Sequence, residues 1–356
     1  MPLEFPKLRC AIFIVAFIVL LVLSRNLFKE TLLQLSHDWT MSFGGGRDYL
    51  DIENVSPKLT FFKKFDDFTD GDYFKCYFLA LCAFTSRERF WYYGLAVAAA
   101  EFLKVDVKLA QSDPRPVSLF ADFPRSACDK GFGSPAGHTL RGSLLLCLLI
   151  PDLFFASDWS RKKYPQINTM TPRTHPITFL LSSTLLIVFY FVNWYDIIYT
   201  GRHSIQQGIT GTVVGAWCGC FFHFVLRDSL FKHFTRLTFK AGILSGKQAL
   251  LYCLCATGVL MSLVTIQCVI AKVMMERIEF EQAWLRNEVN TCGTAIPVDE
   301  NGLLVGDKDQ AYRFRMATAA EYVAYLGLYV GQVAFRYFGR GRLDTESYTP
   351  KHGLFN

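Results

Sequence analysis

Three short polar clusters between Lys108 and Gly208 carry the residue types that phosphoryl chemistry uses. The first is Lys108-Leu-Ala-Gln-Ser-Asp-Pro-Arg115-Pro116, the second Gly131-Phe-Gly-Ser134-Pro135-Ala136-Gly137-His138, and the third Arg202-His203-Ser-Ile-Gln-Gln207-Gly208. A point-charge Lys with a forked Arg suits a phosphate dianion. Pro114 and Pro116 hold their segment extended, so that Arg115 can turn back towards the helix end bearing Lys104 and Lys108. In the second cluster glycines admit a ligand close to the backbone. His138 falls in the first turn of an apolar helix, where free amides bind anions and an imidazole can protonate a departing alkoxide. His203 opens another apolar run, with Gln207 four residues on and so on the same face. A His whose second ring nitrogen is held by a partner can present the other as a nucleophile. Taken singly, each cluster also reads as snorkelling cations, a glycine turn or an incidental histidine. Their convergence in one bundle carries the argument.

The elements that must position these residues are membrane helices. The chain has 356 residues, 51% of them hydrophobic, 33 Phe and a mean hydropathy of +0.23, and its apolar residues come in runs. A helical span takes roughly 20 mostly apolar residues, and eight candidates stand at about 9–24, 73–86, 90–107, 138–157, 176–195, 204–226, 248–273 and 314–335. Lys and Arg concentrate in alternate connections: Lys7 and Arg9, Arg87 and Arg89, Arg161 to Lys163 with Arg173, Arg227 to Lys247, and Arg336 to Arg342. These read as cytosolic, with both termini inside, and 25–72, 108–137, 196–203 and 274–313 as translocated. All three clusters then face the translocated side, at the ends of spans 3 to 6. The net charge of +6 follows from this topology and requires no nucleic-acid partner.

Residues 1–36 read as a retained signal anchor, with a cleaved signal peptide as the alternative, and the start of a lumenal loop; 37–230 read as the core with all three clusters, and 231–356 as further membrane helices with a lumenal loop and a cytosolic tail. Asn54-Val-Ser56 is a glycosylation candidate in a translocated loop. Cys218-x-Cys220 and Cys253-x-Cys255 lack a His or acid at ligand spacing and are read as apolar filler; no metal or cofactor is expected. Cys128 and Cys292 fall in two translocated loops, so a disulfide between them is open.

The clusters resemble those of membrane phosphatases related to type 2 phosphatidic acid phosphatases and vanadium haloperoxidases. That pattern is Lys, six residues, Arg-Pro; Pro-Ser-Gly-His; and Ser-Arg, five residues, His, three residues, Asp or Gln. Within the group the chain is most similar to the glucose-6-phosphatase catalytic subunit family, through Gly133-Ser134-Pro135-x-Gly137-His138 preceded by Cys128, Gln at 207, and the span count. The resemblance covers roughly 37–230. It implies an all-α polytopic bundle of about eight spans with a phosphatidic-acid-phosphatase-type core. It also implies a phosphomonoesterase of the endoplasmic reticulum membrane with a lumenal site, acting on a small phosphorylated substrate and water. A sugar-phosphate transporter is an implied partner. His203 would be the nucleophile, His138 the acid, Lys108 and Arg115 the phosphate ligands, Gly137 a source of amides, and Gln207 a support.

Two positions depart from the pattern. Ala136 replaces the Ser before Gly-His, a loss of about 1.5–3 kcal/mol if the hydroxyl met a charged oxygen. Asp196-Ile197 replaces the Ser-Arg pair, and Arg202 or Arg141 is expected to reach the phosphate from another direction. A lipid phosphate is the alternative substrate, with Tyr92, Tyr93, Trp194, Tyr195 and Tyr199 as a girdle for headgroups. A non-catalytic relative eroded at 136 and 197 is another alternative. A transporter is weaker, because Glu101, Lys104 and Asp106 cluster towards one end of span 3 rather than at the midplane.

Overall fold

The computed structural model describes residues 7–26, 29–42, 61–62, 64–65, 87–129, 131–154, 176–239, 244–277, 281–306 and 325–338. The architecture is all-helical. In chain order come α1 (Lys7–Asn26), α2 (Lys29–Ser42), α3 (Arg87–Gln111), α4 (Gly137–Phe154), α5 (Pro176–Thr200) and α6 (Ile205–Phe221). A π-helical turn at Phe222–Leu226 runs into α7 (Arg227–Phe239), followed by α8 (Gly246–Arg277), α9 (Gln282–Cys292) and α10 (325–338). The isolated bridge Val298 to Leu304 closes a turn at Gly302.

Three helices are long and apolar enough to cross a membrane: Leu180–Thr200, Ile205–Phe234 and Gly246–Val273. Leu8–Ser24 and Lys29–Ser42, bent by 61°, make a fourth if they form one broken span. Among the described residues, three or four of the eight expected spans are thus found by length and composition. The candidate at 73–86 lies outside them, as do Asn54 and the basic stretch at 161–173, and the last is described only from 325. α3 falls short for a physical reason: Glu101, Lys104, Asp106 and Lys108 crowd its second half, where Glu101 and Lys104 are buried inside protein. A helix ringed by protein can carry charge that a lipid-facing one cannot. Two helices, α2 and α9, stand where long loops were expected.

α3 forms the centre. Tyr92, Ala96 and Ala100 on it pack with Leu140, Leu144 and Leu148 of α4, Val214 and Cys218 of α6, and Phe234 of α7. α4 and α6 meet through Gly211, Gly215 and Gly219, spaced by four on one face. A Cβ at 215 would stand 2.1 Å from the Leu140 carbonyl oxygen, and one at 219 would stand 2.6 Å from Cys147 Cβ. Where burial in lipid gives little hydrophobic gain, such backbone-close packing holds helices together. It also fixes the two histidine-bearing helix starts side by side. α1 lies along α6, where Trp217 Nε1 donates to the Phe13 carbonyl at 2.7 Å.

Candidate active site

α3 ends where Ser112, at φ +48°, turns the chain out of the helix. Its amide donates to the Lys108 carbonyl at 3.0 Å and its hydroxyl to the Leu109 carbonyl at 2.7 Å. Arg115 follows in extended conformation, φ −75° and ψ 158°, before a single turn at Pro116–Leu119. The flanking prolines thus act as expected, and the 4%-exposed Arg115 folds back into the molecule.

Its guanidinium joins the other two clusters. Nε donates to the Gly131 carbonyl at 3.0 Å and Nη1 to the Arg202 carbonyl at 3.0 Å. Nη2 meets Asp129 Oδ2 at 2.8 Å, and Nη1 stands 3.5 Å from His203 Nε2. Every arm of the fork is directed, which a Lys could not reproduce.

Gln207 is the second junction. Its Oε1 accepts from the Ser204 amide at 3.1 Å while Ser204 Oγ accepts from the Gln207 amide at 3.2 Å, a capping box that starts α6. Gln207 Nε2 donates to the Pro114 carbonyl at 2.7 Å, and its own carbonyl accepts from the Ala136 amide at 3.1 Å. The Gln207 side chain, expected to support His203 itself or by way of a backbone carbonyl, here has backbone partners at both ends of its amide. Gln207 thus holds the three clusters together. Gly133 lies so close that a Cβ there would stand 2.3 Å from Gln207 Nε2, and its amide donates to the Asp113 carbonyl at 2.9 Å. Ser134 donates to Gln111 Oε1, adding a further tie between the first two clusters.

His203 sits in the bend between α5 and α6, made possible by Gly201 at φ +70°. The ring is 5% exposed; Nδ1 makes no hydrogen bond of ordinary geometry, although the Gly133 carbonyl is within electrostatic reach. Burial first, then the charges of Arg115 and Lys108 and the neighbouring His138, hold its pKa well below the usual imidazole value; the Gly133 carbonyl opposes them. The neutral, nucleophilic form is thus favoured. Lys108 is half-buried, and desolvation, Arg115, Lys104 and Arg141 lower its pKa while Asp129 raises it. His138 is the second residue of α4, half-buried, beside Gly137.

Around this centre lies a second set of charges. Glu101, 1% exposed, accepts from Lys104 and, at 2.8 Å, from Arg141 Nε. Lys104 reaches along α4: a Cβ on Gly137 would stand 3.7 Å from Lys104 Cδ. Of the two expected substitutes for the missing arginine, Arg141 lies among the charges that act on Lys108. Arg202 contributes its carbonyl to Arg115. The two departures prove to be neighbours, since Ala136 and Ile197 belong to one apolar cluster with Ile198 and Ile205. Two polar positions of the resembling pattern are thus part of one buried apolar cluster here.

The expected aromatic girdle divides. Tyr92 and Tyr93 are buried in the central core, 16 residues before Lys108 and so roughly 24 Å away along α3 at about 1.5 Å per residue. Trp194, which touches Gly208, and the buried Tyr199 do lie at the site end of α5.

Two walls escaped the sequence reading. α2 brings Lys29 Nζ to Asp113 Oδ1 at 3.1 Å, His37 Nε2 to Asp122 Oδ2 at 3.0 Å, and Ser36 Oγ to accept from the Ile205 amide at 2.7 Å. α9 docks on the turn after Arg115: Ser118 donates to Glu288, Asn287 donates to the Ser118 carbonyl at 3.0 Å, and Cys292 is disulfide-bonded to Cys128. Both sit in polar stretches whose hydropathy is low beside the membrane runs. The four-residue glycine spacing of α6 was a legible signal that the reading did not use.

Residues 89–230 match the family model described as PAP2 superfamily. No curated protein and no solved structure matches the chain. Members of the superfamily are phosphatases, that is phosphoric monoester hydrolases. The matched segment runs from α3 to α7 and contains every residue of the three clusters, so the part of the chain that Arg115 and Gln207 knit into one site is the part similar to the PAP2 superfamily.

Proposed function

We propose that this is a membrane phosphomonoesterase in which His203 takes the phosphoryl group from a sugar phosphate, with glucose 6-phosphate the first candidate. The observation that carries this reading is the Arg115 guanidinium 3.5 Å from His203 Nε2, inside a cluster that also includes Lys108 and His138. Arg115 and Lys108 would hold two phosphate oxygens, with the first amides of α4 at Gly137 holding the third. His203 Nε2 attacks phosphorus as the P–O bond to the sugar breaks, and His138 gives its proton to the departing oxygen. Water then attacks the phosphohistidine, His138 takes a proton from it, and inorganic phosphate leaves. Arg141, beside Lys108, takes the place of the arginine missing at 197.

The Cys128–Cys292 disulfide supports a site on the translocated side of a secretory-pathway membrane, the endoplasmic reticulum in this reading. A soluble substrate there would need delivery by a sugar-phosphate transporter. A lipid phosphate is the second reading, favoured by the position of the clusters at the ends of apolar helices. Phosphate release from glucose 6-phosphate and from a lipid phosphate by purified protein, beside His203→Ala, tests both. Release of only lipid phosphate rejects the sugar substrate. Release that survives His203→Ala rejects the mechanism. No release by folded, vanadate-binding protein points to a relative eroded at Ala136 and Ile197.

A further inference from the structure

At the end of the bundle away from His203, a cavity of about 1160 Å³ opens between α3, α6, α7, α8 and α10. Its body is apolar, walled by Ala99 and Leu103 of α3, Trp217 of α6, and Ala256 and Leu263 of α8. Its mouth is polar: Asp228, Ser229, Lys232 and His233 of α7 and Gln248 of α8 line it. His233 is set in place there, with Nε2 2.8 Å from the Tyr329 hydroxyl and its ring edge-on to Tyr252 at 5.3 Å. The cavity exceeds the roughly 300–1,000 Å³ of a pocket for a small soluble ligand.

The wall formed by α8 is unusual. This helix has a mean hydropathy of 2.1 over its most apolar window, yet only 6% of that window is buried inside the protein. Leu251, Leu254 and Val259 on it are exposed by more than half. α8 therefore stands in the bilayer with its first half lining the cavity, and acyl chains are the apolar matter that surrounds it there. The mouth adds a choice of headgroup. Residues 227–247 hold five Lys and Arg, at 227, 232, 236, 240 and 247, against the single acid Asp228. That bias marks the cytosolic surface and attracts anionic lipids.

We infer that this cavity is a binding site for one anionic glycerophospholipid, with its headgroup at Lys232 and His233 and its chains along Ala99, Leu103 and Leu263. The site is separate from the phosphoryl-transfer centre. On α3 the cavity takes Ala99 and Leu103, whereas Lys104 and Lys108 point to the other cluster. It does not depend on which substrate the enzyme takes.

Purified full-length chain in mild detergent, given equimolar dioleoyl phosphatidylserine and dioleoyl phosphatidylcholine, tests this by native mass spectrometry. The expected result is one retained lipid per chain, with the serine lipid preferred about fivefold or more. Lys232→Gln with His233→Gln should equalise the two lipids while leaving one bound. Ala256→Trp, which fills the cavity from the outer helix, should abolish retention. An intact Cys128–Cys292 disulfide reports folding of each variant. Retention of detergent only, equal retention of both lipids by the unmodified chain, or unchanged retention in folded Ala256→Trp overturns the assignment. A dimer that retains no lipid does so as well, by making a second copy the occupant. Should Ala256→Trp fail to fold, the headgroup preference and the Lys232/His233 variant decide alone.

Discussion

Arg115 Nη1 stands 3.5 Å from His203 Nε2 although 88 residues separate them, and the same guanidinium nitrogen donates to the carbonyl of Arg202. The cation proposed to hold the phosphate is thus bonded to the turn that carries the proposed nucleophile. Arg115→Lys keeps the charge but gives up the fork. Phosphate release should fall about 10²-fold or more in kcat/KM, in the range seen when one directed transition-state donor is removed. A steady-state comparison of Arg115→Lys with the unmodified protein measures it, and near-normal kcat/KM would show that charge alone suffices.

The depressed pKa of His203 fixes the sign of two pH effects. Burial and the charges of Arg115 and Lys108 favour its neutral form, so the acidic limb of kcat/KM for the free enzyme should lie below pH 6.5. Lys108→Met removes one of those charges and should move that limb upward. For folding, a pKa lower in the native than in the unfolded state means a stabilising contribution that is full above about pH 6.5 and lost as pH falls through the native value. Melting of the detergent-purified protein from pH 7.5 down to pH 5 should therefore show declining stability, with a smaller decline in His203→Ala.

Arg141 is the proposed stand-in for the arginine absent at 197, held by Glu101 at 2.8 Å. Arg141→Ala should weaken vanadate binding by about ten- to a hundredfold, the size of one charged hydrogen bond of about 1.5–3 kcal/mol. Arg202→Ala should leave it within about twofold, because the carbonyl contact to Arg115 survives the substitution. The reverse order of effects would return the role to Arg202.

The Cys128–Cys292 bond closes a separation of 164 residues and ties α9 to the loop bearing Asp129, the partner of Arg115. Cys128→Ser and Cys292→Ser should each cost about 2–4 kcal/mol. The double variant should be no worse than either single one, since both remove one bond. Thermal melting with and without reductant checks this, and additive losses would mean that the thiols act independently.

Close packing of α4 on α6 has a built-in control. Gly215→Ala would put a methyl 2.1 Å from the Leu140 carbonyl oxygen, whereas Gly258 has nothing within 4 Å of its would-be Cβ. The first should lower stability by about 1–3 kcal/mol and loosen the alignment of His138 with His203. Gly258→Ala should be neutral or slightly stabilising. Equal melting temperatures for the two variants would contradict the close approach.

The sequence by itself determined the helical class, the location of most membrane runs and the membership of the three clusters. Those features are written locally: apolar runs set helices, Pro114 and Pro116 set the extension at Arg115, and Ser204 with Gln207 sets a helix start. Tertiary structure decided how the clusters meet. That Gln207 binds Pro114 and Ala136, that Ala136 and Ile197 share one apolar cluster, and that Glu101 pairs with Lys104 and Arg141 all depend on helix-to-helix distances fixed by Gly211, Gly215 and Gly219. Only folding showed that α2 and α9 wall the site, because their contacts with Asp113 and Ser118 span 84 and 170 residues. The charges of α3 belong with these, since Glu101 and Lys104 are sustained by burial against other helices, and burial is a property of the assembled bundle.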